Sequence, residues 1–102
     1  MKRKNQSPRE YSLQHCKDRA RERYAFELLD NDYDVLCNSV REELVGDCFI
    51  GGISRLKKVN QEGSQYTFIV VLRGRELVVV FDAGRSLVTT LLPPEQFSEH
   101  LS

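Results

Sequence analysis

The chain has 102 residues, enough for one domain with a modest hydrophobic core. Apolar residues make up 40% and charged residues 29%, an ordinary balance for a globular protein, and no apolar run approaches the roughly 18 residues of a membrane-spanning helix. The first ten residues, MKRKNQSPRE, are basic but are not followed by the apolar stretch of a secretory signal. We therefore expect a cytoplasmic protein, located in the host-cell cytoplasm if a phage encodes it.

The cysteine pattern argues against both a disulfide framework and a zinc site. The three cysteines, Cys16, Cys37 and Cys48, are odd in number and widely spaced, and no CxxC pair is present. The sequence therefore predicts reduced thiols that pack as small hydrophobic side chains, with no bound metal and no cofactor.

Charge is distributed unevenly along a chain whose formal net charge is zero. Residues 1–24 contain eight Lys or Arg and three Asp or Glu, which gives +5, and the remaining residues contain seven and twelve, which gives −5. A basic first segment permits contact with nucleic acid or with an acidic protein. Pairing with an acidic second helix explains the same pattern, and both alternatives stay open.

Two helices are predicted after a disordered basic lead at residues 1–6. Ser7, Pro8 and Glu10 form a helix start, because Ser7 can cap, proline suits the first turn and Glu10 completes a capping box. A second helix is expected to begin with Asp30 as its N-cap and to stop at Gly46. Helical spacing assigns the following residues to the core: Leu13, Cys16, Ala20 and Tyr24 of the first helix, and Tyr33, Leu36, Cys37, Val40 and Leu44 of the second.

After Gly46 the apolar period changes from 3.6 to 2, which predicts four strands at about 48–59, 65–73, 75–82 and 86–92. Short turns at 60–63, Gly74 and Gly84 make neighbouring strands antiparallel. Gly51 and Gly52 predict a bulge, and Pro94 begins a short terminal turn. The expected fold class is α+β, with two N-terminal helices packed on one face of a four-stranded antiparallel meander sheet. Residues 7–102 would form this single domain.

Both faces of the predicted sheet are apolar at its centre, yet two helices cover only one. One candidate set for the uncovered face is Ile69, Val71, Val78 and Val80. A second copy of the chain, a protein partner, or the tail with Phe97 and Leu101 would have to cover it. A homodimer is the simplest solution, because a two-fold axis makes one patch complementary to itself. Arg73 and Arg75 would then lie at the rim of the interface.

The order of elements resembles that of a known fold group. The segment HCKDRARERYAFELLDNDYDVLCNSV, a strand, and then FIVVLRGRELVVVFDAGRSLVTTLLP are similar to the small RelE-like domains of the barnase/EndoU/colicin-nuclease/RelE group over residues 13–92. The likeness rests on element order, a basic first helix, a turn arginine and a V-T-x-L final strand. It implies helices on a four-stranded sheet. Many members are RNA-cleaving toxins that need no metal, and others are inactive or uncharacterised relatives.

The resemblance also implies where catalytic residues would lie. His15 and Arg19 match a first-helix position, Arg73 or Arg75 matches a middle-strand position, and Thr89 or Thr90 matches the last strand. RNA cleavage without metal needs a base for the 2′-OH, a cation for the phosphate and a donor for the leaving oxygen. Histidine and arginine suit the first two roles.

Two functional hypotheses follow. The first is a small non-catalytic binding protein, of the accessory type found in phages and mobile elements, which acts through protein contact. Its candidate contact residues are Arg19, Arg23, Ile69, Val71, Arg73, Arg75, Val78 and Val80. The second is a RelE-like ribonuclease. The chain is neutral and aliphatic where a basic, aromatic RNA platform is expected, so the first is preferred, with only weak nucleic-acid binding and no membrane contact.

Overall fold

The computed structural model describes residues 7–45 and 53–95, with side chains for 7–42, 53 and 55–95. The elements are α1 (Pro8–Tyr24), α2 (Asp30–Val45), β1 (Ile53–Glu62), β2 (Gln65–Leu72), β3 (Arg75–Asp82) and β4 (Leu87–Leu92). The strands form one antiparallel sheet in the order β1-β2-β3-β4, and the helices pack on it. The predicted α+β meander is confirmed.

Several expected features lie outside the described residues. They are the lead at residues 1–6, the stop at Gly46, the bulge at Gly51 and Gly52, the side chain of Leu44, Cys48, and the tail residues Phe97 and Leu101.

Helix α1 begins at the predicted capping box. The Ser7 Oγ accepts a hydrogen bond from the Glu10 backbone N–H at 3.1 Å, and the Glu10 carboxylate accepts one from the Ser7 N–H at 3.2 Å. The helix ends at Ala25, which adopts a left-handed conformation with φ of 51°. The buried face is Ser12, Cys16, Ala20 and Tyr24, whereas Leu13 is only half-buried.

Helix α2 begins at Asp30, the predicted cap, so its N-cap position lies one residue earlier than expected. The Leu29 carbonyl accepts the first helical hydrogen bond from the Tyr33 N–H at 3.0 Å, and the Asp32 carboxylate accepts from the Leu29 N–H at 2.9 Å. Leu29 therefore occupies the N-cap position and Asp32, three residues later, supplies the capping oxygen. Asp30 forms an ion pair with Lys17 instead. The predicted buried stripe is confirmed at Tyr33, Leu36, Cys37 and Val40.

The first hairpin is tighter than the sequence suggested. Residues 60–62 pair with 65–67, so only Gly63 and Ser64 form the turn, and Gly63 has a φ of 61°. The polar residues at 60–62 were predicted to form a loop. Their side chains are exposed to solvent, but their backbone continues the pairing of β1 with β2. Strand β1 also carries register shifts between Ile53 and Arg55 and between Lys58 and Asn60.

Strand β4 contains a bulge that strict alternation did not predict. The register with β3 shifts between Val80 and Phe81, which pair with Thr90 and Val88, so Thr89 is the extra residue. Val88 and Leu91, three residues apart, are consequently both fully buried against the helices.

The candidate residues of the sheet face opposite the helices are mostly buried within a single chain. Ile69, Val78 and Val80 are only 2%, 3% and 9% exposed within a single chain, although they lie outside the core cluster beneath the helices. Val71 is half-buried. A second copy is therefore not needed to bury these three residues, and the tail with Phe97 and Leu101 lies outside the described residues.

Candidate functional site

Side chains of both helices bond to the backbone of β4 and hold α1 beside this strand. The Val88 carbonyl accepts from the Tyr33 hydroxyl at 2.7 Å and lies 3.6 Å from the Cys16 Sγ. The Leu91 carbonyl accepts from the Arg23 guanidinium at 2.6 Å. One edge of the sheet is therefore closed by side chains rather than by another strand.

His15 lies within this contact and bonds to the last strand. Its Nε2 is 3.0 Å from the Thr90 Oγ1, and the Tyr11 ring lies nearly parallel to the imidazole with centroids 6.1 Å apart. Arg19 and Arg23 follow His15 at four-residue intervals, so they share its side of the helix. These five residues are called the α1–β4 groove below.

The environment of His15 favours the neutral imidazole. Burial lowers the pKa of His15, and the nearby guanidiniums of Arg19 and Arg23 lower it further, against the opposing charges of Asp18 and Glu22. A neutral imidazole near pH 7 can accept a proton, which is the property a general base needs.

The two groove arginines are already bonded within the chain. Arg19 forms an ion pair with Glu22 at 2.7 Å, and Arg23 donates to the Leu91 carbonyl. A phosphate ligand would have to compete with these acceptors.

Arg73 and Arg75 are placed elsewhere in the molecule. The Arg73 guanidinium binds both carboxylate oxygens of Asp32, at 3.2 and 2.7 Å, and the Glu27 carbonyl at 3.2 Å. Arg75 donates to the Tyr24 carbonyl. Tyr24 is nine residues after His15, or roughly 13 Å along the helix axis. The structure therefore brings together His15, Arg19 and Thr90 but not the turn arginines.

The other threonine of the last strand serves the sheet itself. Thr89, the bulge residue, donates its hydroxyl hydrogen bond to the Val80 carbonyl at 3.4 Å. Thr89, which was also predicted as a catalytic residue, forms no hydrogen bond with His15 among the described residues. Thr90 does form one.

The loop between the helices forms a second exposed feature. The guanidinium carbons of Arg73 and Arg75 lie 4.9 and 5.7 Å from the centroid of the Phe26 ring, and Leu29 is 47% exposed. A shallow cleft of about 460 Å³ adjoins them, lined by Arg21, Ala25, Phe26 and Glu27. We call loop residues 25–29 with Arg21, Arg73 and Arg75 the arginine-braced loop.

Sequence reasoning missed Phe26 and Leu29. The available signal was a pair of large apolar residues in the predicted connection between two helices, YAFELLD, where polar turn residues are usual.

The basic first helix is partly neutralised by the acidic second helix. Arg9 pairs with Asp34 and Lys17 pairs with Asp30, each across the two helices. This arrangement supports the intramolecular explanation for the uneven charge and weakens the case for a free basic helix face.

Cys16 and Cys37 are free, buried thiols beside the same strand residue, since the Val88 N–H also donates to the Cys37 Sγ at 3.4 Å. Burial raises the pKa of both thiols. Among the described residues, no cluster of three or more His, Cys, Asp or Glu side chains could hold a metal ion. No helix in the described ranges is long and apolar enough to cross a membrane.

Comparison of the chain with protein-family models, curated proteins and solved structures gave no match. The α1–β4 groove and the arginine-braced loop are therefore the basis for the functional proposal.

Proposed function

We propose that this chain is a small non-catalytic binding protein that acts through protein–protein contact at the arginine-braced loop. The observation that carries the proposal is the exposed Leu29 in the same short loop as Phe26, whose ring lies near the guanidiniums of Arg73 and Arg75. Aromatic and arginine side chains are enriched in the centres of protein interfaces and contribute much of their binding energy.

The loop is rigid enough to serve as a preformed surface. Arg73 has a φ of 50°, which is uncommon for a long side chain, and its bonds to Asp32 and to the Glu27 carbonyl hold it there. Asp32 is 5% exposed and also caps α2. A surface fixed in this way loses little side-chain freedom when a partner binds.

A second copy of the chain is the partner we place first, because a two-fold axis lets one exposed patch bind itself. The far sheet face no longer supports such a dimer, since Ile69, Val78 and Val80 are buried in one chain. The arginine-braced loop, with the exposed Leu29, is the alternative contact.

Sedimentation equilibrium at micromolar concentration tests this proposal. The natural chain should self-associate, and Leu29→Asp should shift it towards monomer by placing a carboxylate at the centre of the contact. Tyr11→Asp is the matched control, because Tyr11 is 63% exposed but lies in the α1–β4 groove. A monomeric natural chain, or equal effects of the two substitutions, would contradict the homodimer.

A metal-independent ribonuclease is the second candidate, favoured by the bond between His15 and Thr90. In this alternative, which the RelE-like resemblance suggests, neutral His15 takes the 2′-OH proton, Arg19 or Arg23 faces the phosphate, and Thr90 orients the imidazole. Arg73 and Arg75 would take no part in that chemistry, because their bonds hold them at the arginine-braced loop.

Expression in a bacterial host distinguishes the two candidates. The ribonuclease predicts growth arrest that His15→Ala relieves, with RNA cleavage by the purified chain in EDTA. Gln14→Ala is the control, since Gln14 is an exposed neighbour that bonds only to Asp18. A chain that neither arrests growth nor cleaves RNA would leave the binding protein as the better explanation.

A further inference from the structure

The basic side chains of this protein fall into two groups according to their bonding partners. Outside β1, each described lysine and arginine bonds to an acceptor of the same chain. The carboxylate pairs are Arg9–Asp34, Lys17–Asp30, Arg19–Glu22, Arg21–Asp18, Arg73–Asp32 and Arg85–Asp82. The carbonyl pairs are Arg23–Leu91, Arg41–Ser86 and Arg75–Tyr24.

Strand β1 carries the exceptions. Arg55 and Lys57 are exposed and form no ion pair or side-chain hydrogen bond within the described residues, and Lys58 reaches only the amide oxygen of Gln61 at 3.4 Å. No acidic residue occurs in β1 before Glu62. Among the described residues, three cations with neither a carboxylate nor a backbone carbonyl as partner therefore stand within four positions of β1.

This stretch lies at an edge of the sheet. Strand β1 pairs with β2 on one side only, and no described strand lies on its other side. Arg55 and Lys57 stand opposite Val71 and Ile69, whereas Lys58 lies over the Tyr66 ring at 5.3 Å. Register shifts at both ends leave residues 55–58 as a regular run, and no described strand pairs with its outer backbone groups.

Charged residues on an edge strand often serve only to prevent aggregation. That explanation accounts for the rejection of neutral or basic strands. It does not exclude an acidic strand, whose carboxylates would lie opposite Arg55 and Lys57 and form favourable cross-strand pairs.

We propose that β1 is a docking edge for an extended, acidic segment of a partner protein, which adds to the sheet as a fifth strand. Backbone hydrogen bonds along residues 55–58 would supply affinity, and the charges of Arg55 and Lys57 would select for alternating carboxylates. The inference goes beyond the function proposed above, because it concerns a different surface and does not depend on the arginine-braced loop.

A peptide fits this edge better than a nucleic acid does. Three cations would neutralise few phosphates, and the side chains opposite them in β2 are mainly aliphatic, so bases have no open stacking platform. The half-buried Tyr66 is already covered by Lys58. The outer backbone of β1, which no described strand pairs with, matches an extended peptide instead.

Three labelled peptides test the proposal by fluorescence anisotropy at low salt. The first alternates glutamate with valine, the second replaces glutamate with glutamine, and the third keeps the glutamates but carries prolines that remove the pairing N–H groups. We expect the first to bind most tightly, with amide chemical-shift changes along β1. Arg55→Ser with Lys57→Ser should weaken it about five- to tenfold, whereas Arg21→Ser, which removes an exposed cation on α1, should not.

Each alternative result overturns the inference in an identifiable way. Equal binding of the glutamate and glutamine peptides would remove charge selection. Equal binding of the proline peptide would show attraction to anions without strand addition, as would tighter binding of a single-stranded RNA. No binding by any peptide would leave the β1 charges as protection of the edge alone. The peptide comparisons use the natural chain, so they hold even if a substituted chain folds poorly.

Discussion

Tyr24 shows how one hydroxyl group can replace a missing rung of a sheet. Its Oη donates to the Leu92 carbonyl at 2.5 Å and accepts from the Val78 N–H at 3.0 Å, where the end of β4 pairs with the middle of β3. The Val78 bond is buried, and loss of the hydroxyl would leave both backbone groups without a partner.

We therefore expect Tyr24→Phe to lower the free energy of unfolding by about 1–3 kcal/mol, the usual cost of an unsatisfied buried polar group. Urea denaturation followed by circular dichroism measures it. Tyr11→Phe is the control, because the exposed Tyr11 should change stability by less than about 0.5 kcal/mol. Similar losses for the two substitutions would contradict the role assigned to the Tyr24 hydroxyl.

His15 should make stability depend on pH. Its pKa in the folded chain is lowered, chiefly by burial, so the folded state binds a proton less readily than the unfolded state does. The contribution of neutral His15 to the stability of the folded chain is fully present above the ordinary histidine pKa of about 6.5. It is lost as the pH falls towards the lower pKa of the folded state. Urea midpoints should therefore decrease as pH falls below neutrality.

His15→Gln should flatten this part of the pH profile, because glutamine keeps a polar side chain beside Thr90 but does not titrate. Gln14→Ala should leave the profile unchanged. An undiminished slope in the glutamine variant would assign the pH dependence to other groups.

At the scale of elements, the contact between Asp32 and Arg73 joins the start of α2 to the turn between β2 and β3. The Asp32 side chain is 8% exposed and that of Arg73 is 47% exposed, so solvent screens the pair only on the arginine side. A double-mutant cycle with Arg73→Ala and Asp32→Ala should give a coupling energy of about 1 kcal/mol. This value lies between those typical of exposed and of buried ion pairs. The cycle uses unfolding free energies from urea titrations.

The pair of Arg85 and Asp82 is the matched control. It also lies at a turn between strands, but its atoms are 4.0 Å apart and Arg85 is 64% exposed, so its coupling should be near zero. Equal couplings for the two pairs would show that Arg73 is an ordinary surface residue.

Elements with local signals were predictable from the sequence, and those that depend on distant residues were not. The capping box at Ser7 and the glycine of the Arg73–Gly74 turn are encoded within four residues of chain. The bulge at Thr89 and the start of α2 were missed, because alternation does not reveal an inserted residue and Leu29 lacks a capping side chain.

The candidate sites divide in the same way. The resemblance placed His15, Arg19 and Thr90 in one region, and the structure does bring them together across as many as 75 positions of sequence. Arg73 and Arg75 bond instead at the arginine-braced loop, and their partners Asp32 and Tyr24 could not be inferred from local sequence. Arg55 and Lys57 were overlooked as a site, because basic residues are common on strands and their lack of a partner among the described residues is visible only after folding.

At the scale of the whole molecule, the reactivity of the buried thiols Cys16 and Cys37 should indicate when the helices separate from the sheet. Cys16 and Cys37 lie on different helices and both contact the backbone of Val88. Their accessibility is negligible and burial raises both pKa values, so few thiolates form in the folded chain.

We expect both thiols to react with iodoacetamide only when the helices open, at rates that rise together with urea concentration. Mass spectrometry of the peptides that carry each cysteine would follow them separately. Rapid labelling of Cys16 without urea would contradict the packing of α1 against β4, and labelling at two different urea midpoints would show that the helices detach independently.

The contact of α1 with β4 joins elements at opposite ends of the described chain. As a ribosome releases the polypeptide, the first helix emerges long before its docking strand, and the residues that bond them are separated by 68 to 75 positions. The hairpins of the sheet can form as they leave the ribosome. The face of α1 with Cys16 and Ala20 remains exposed to solvent until β4 has left the exit tunnel. Packing of α1 on the sheet is thus expected to be a late event that awaits the synthesis of β4.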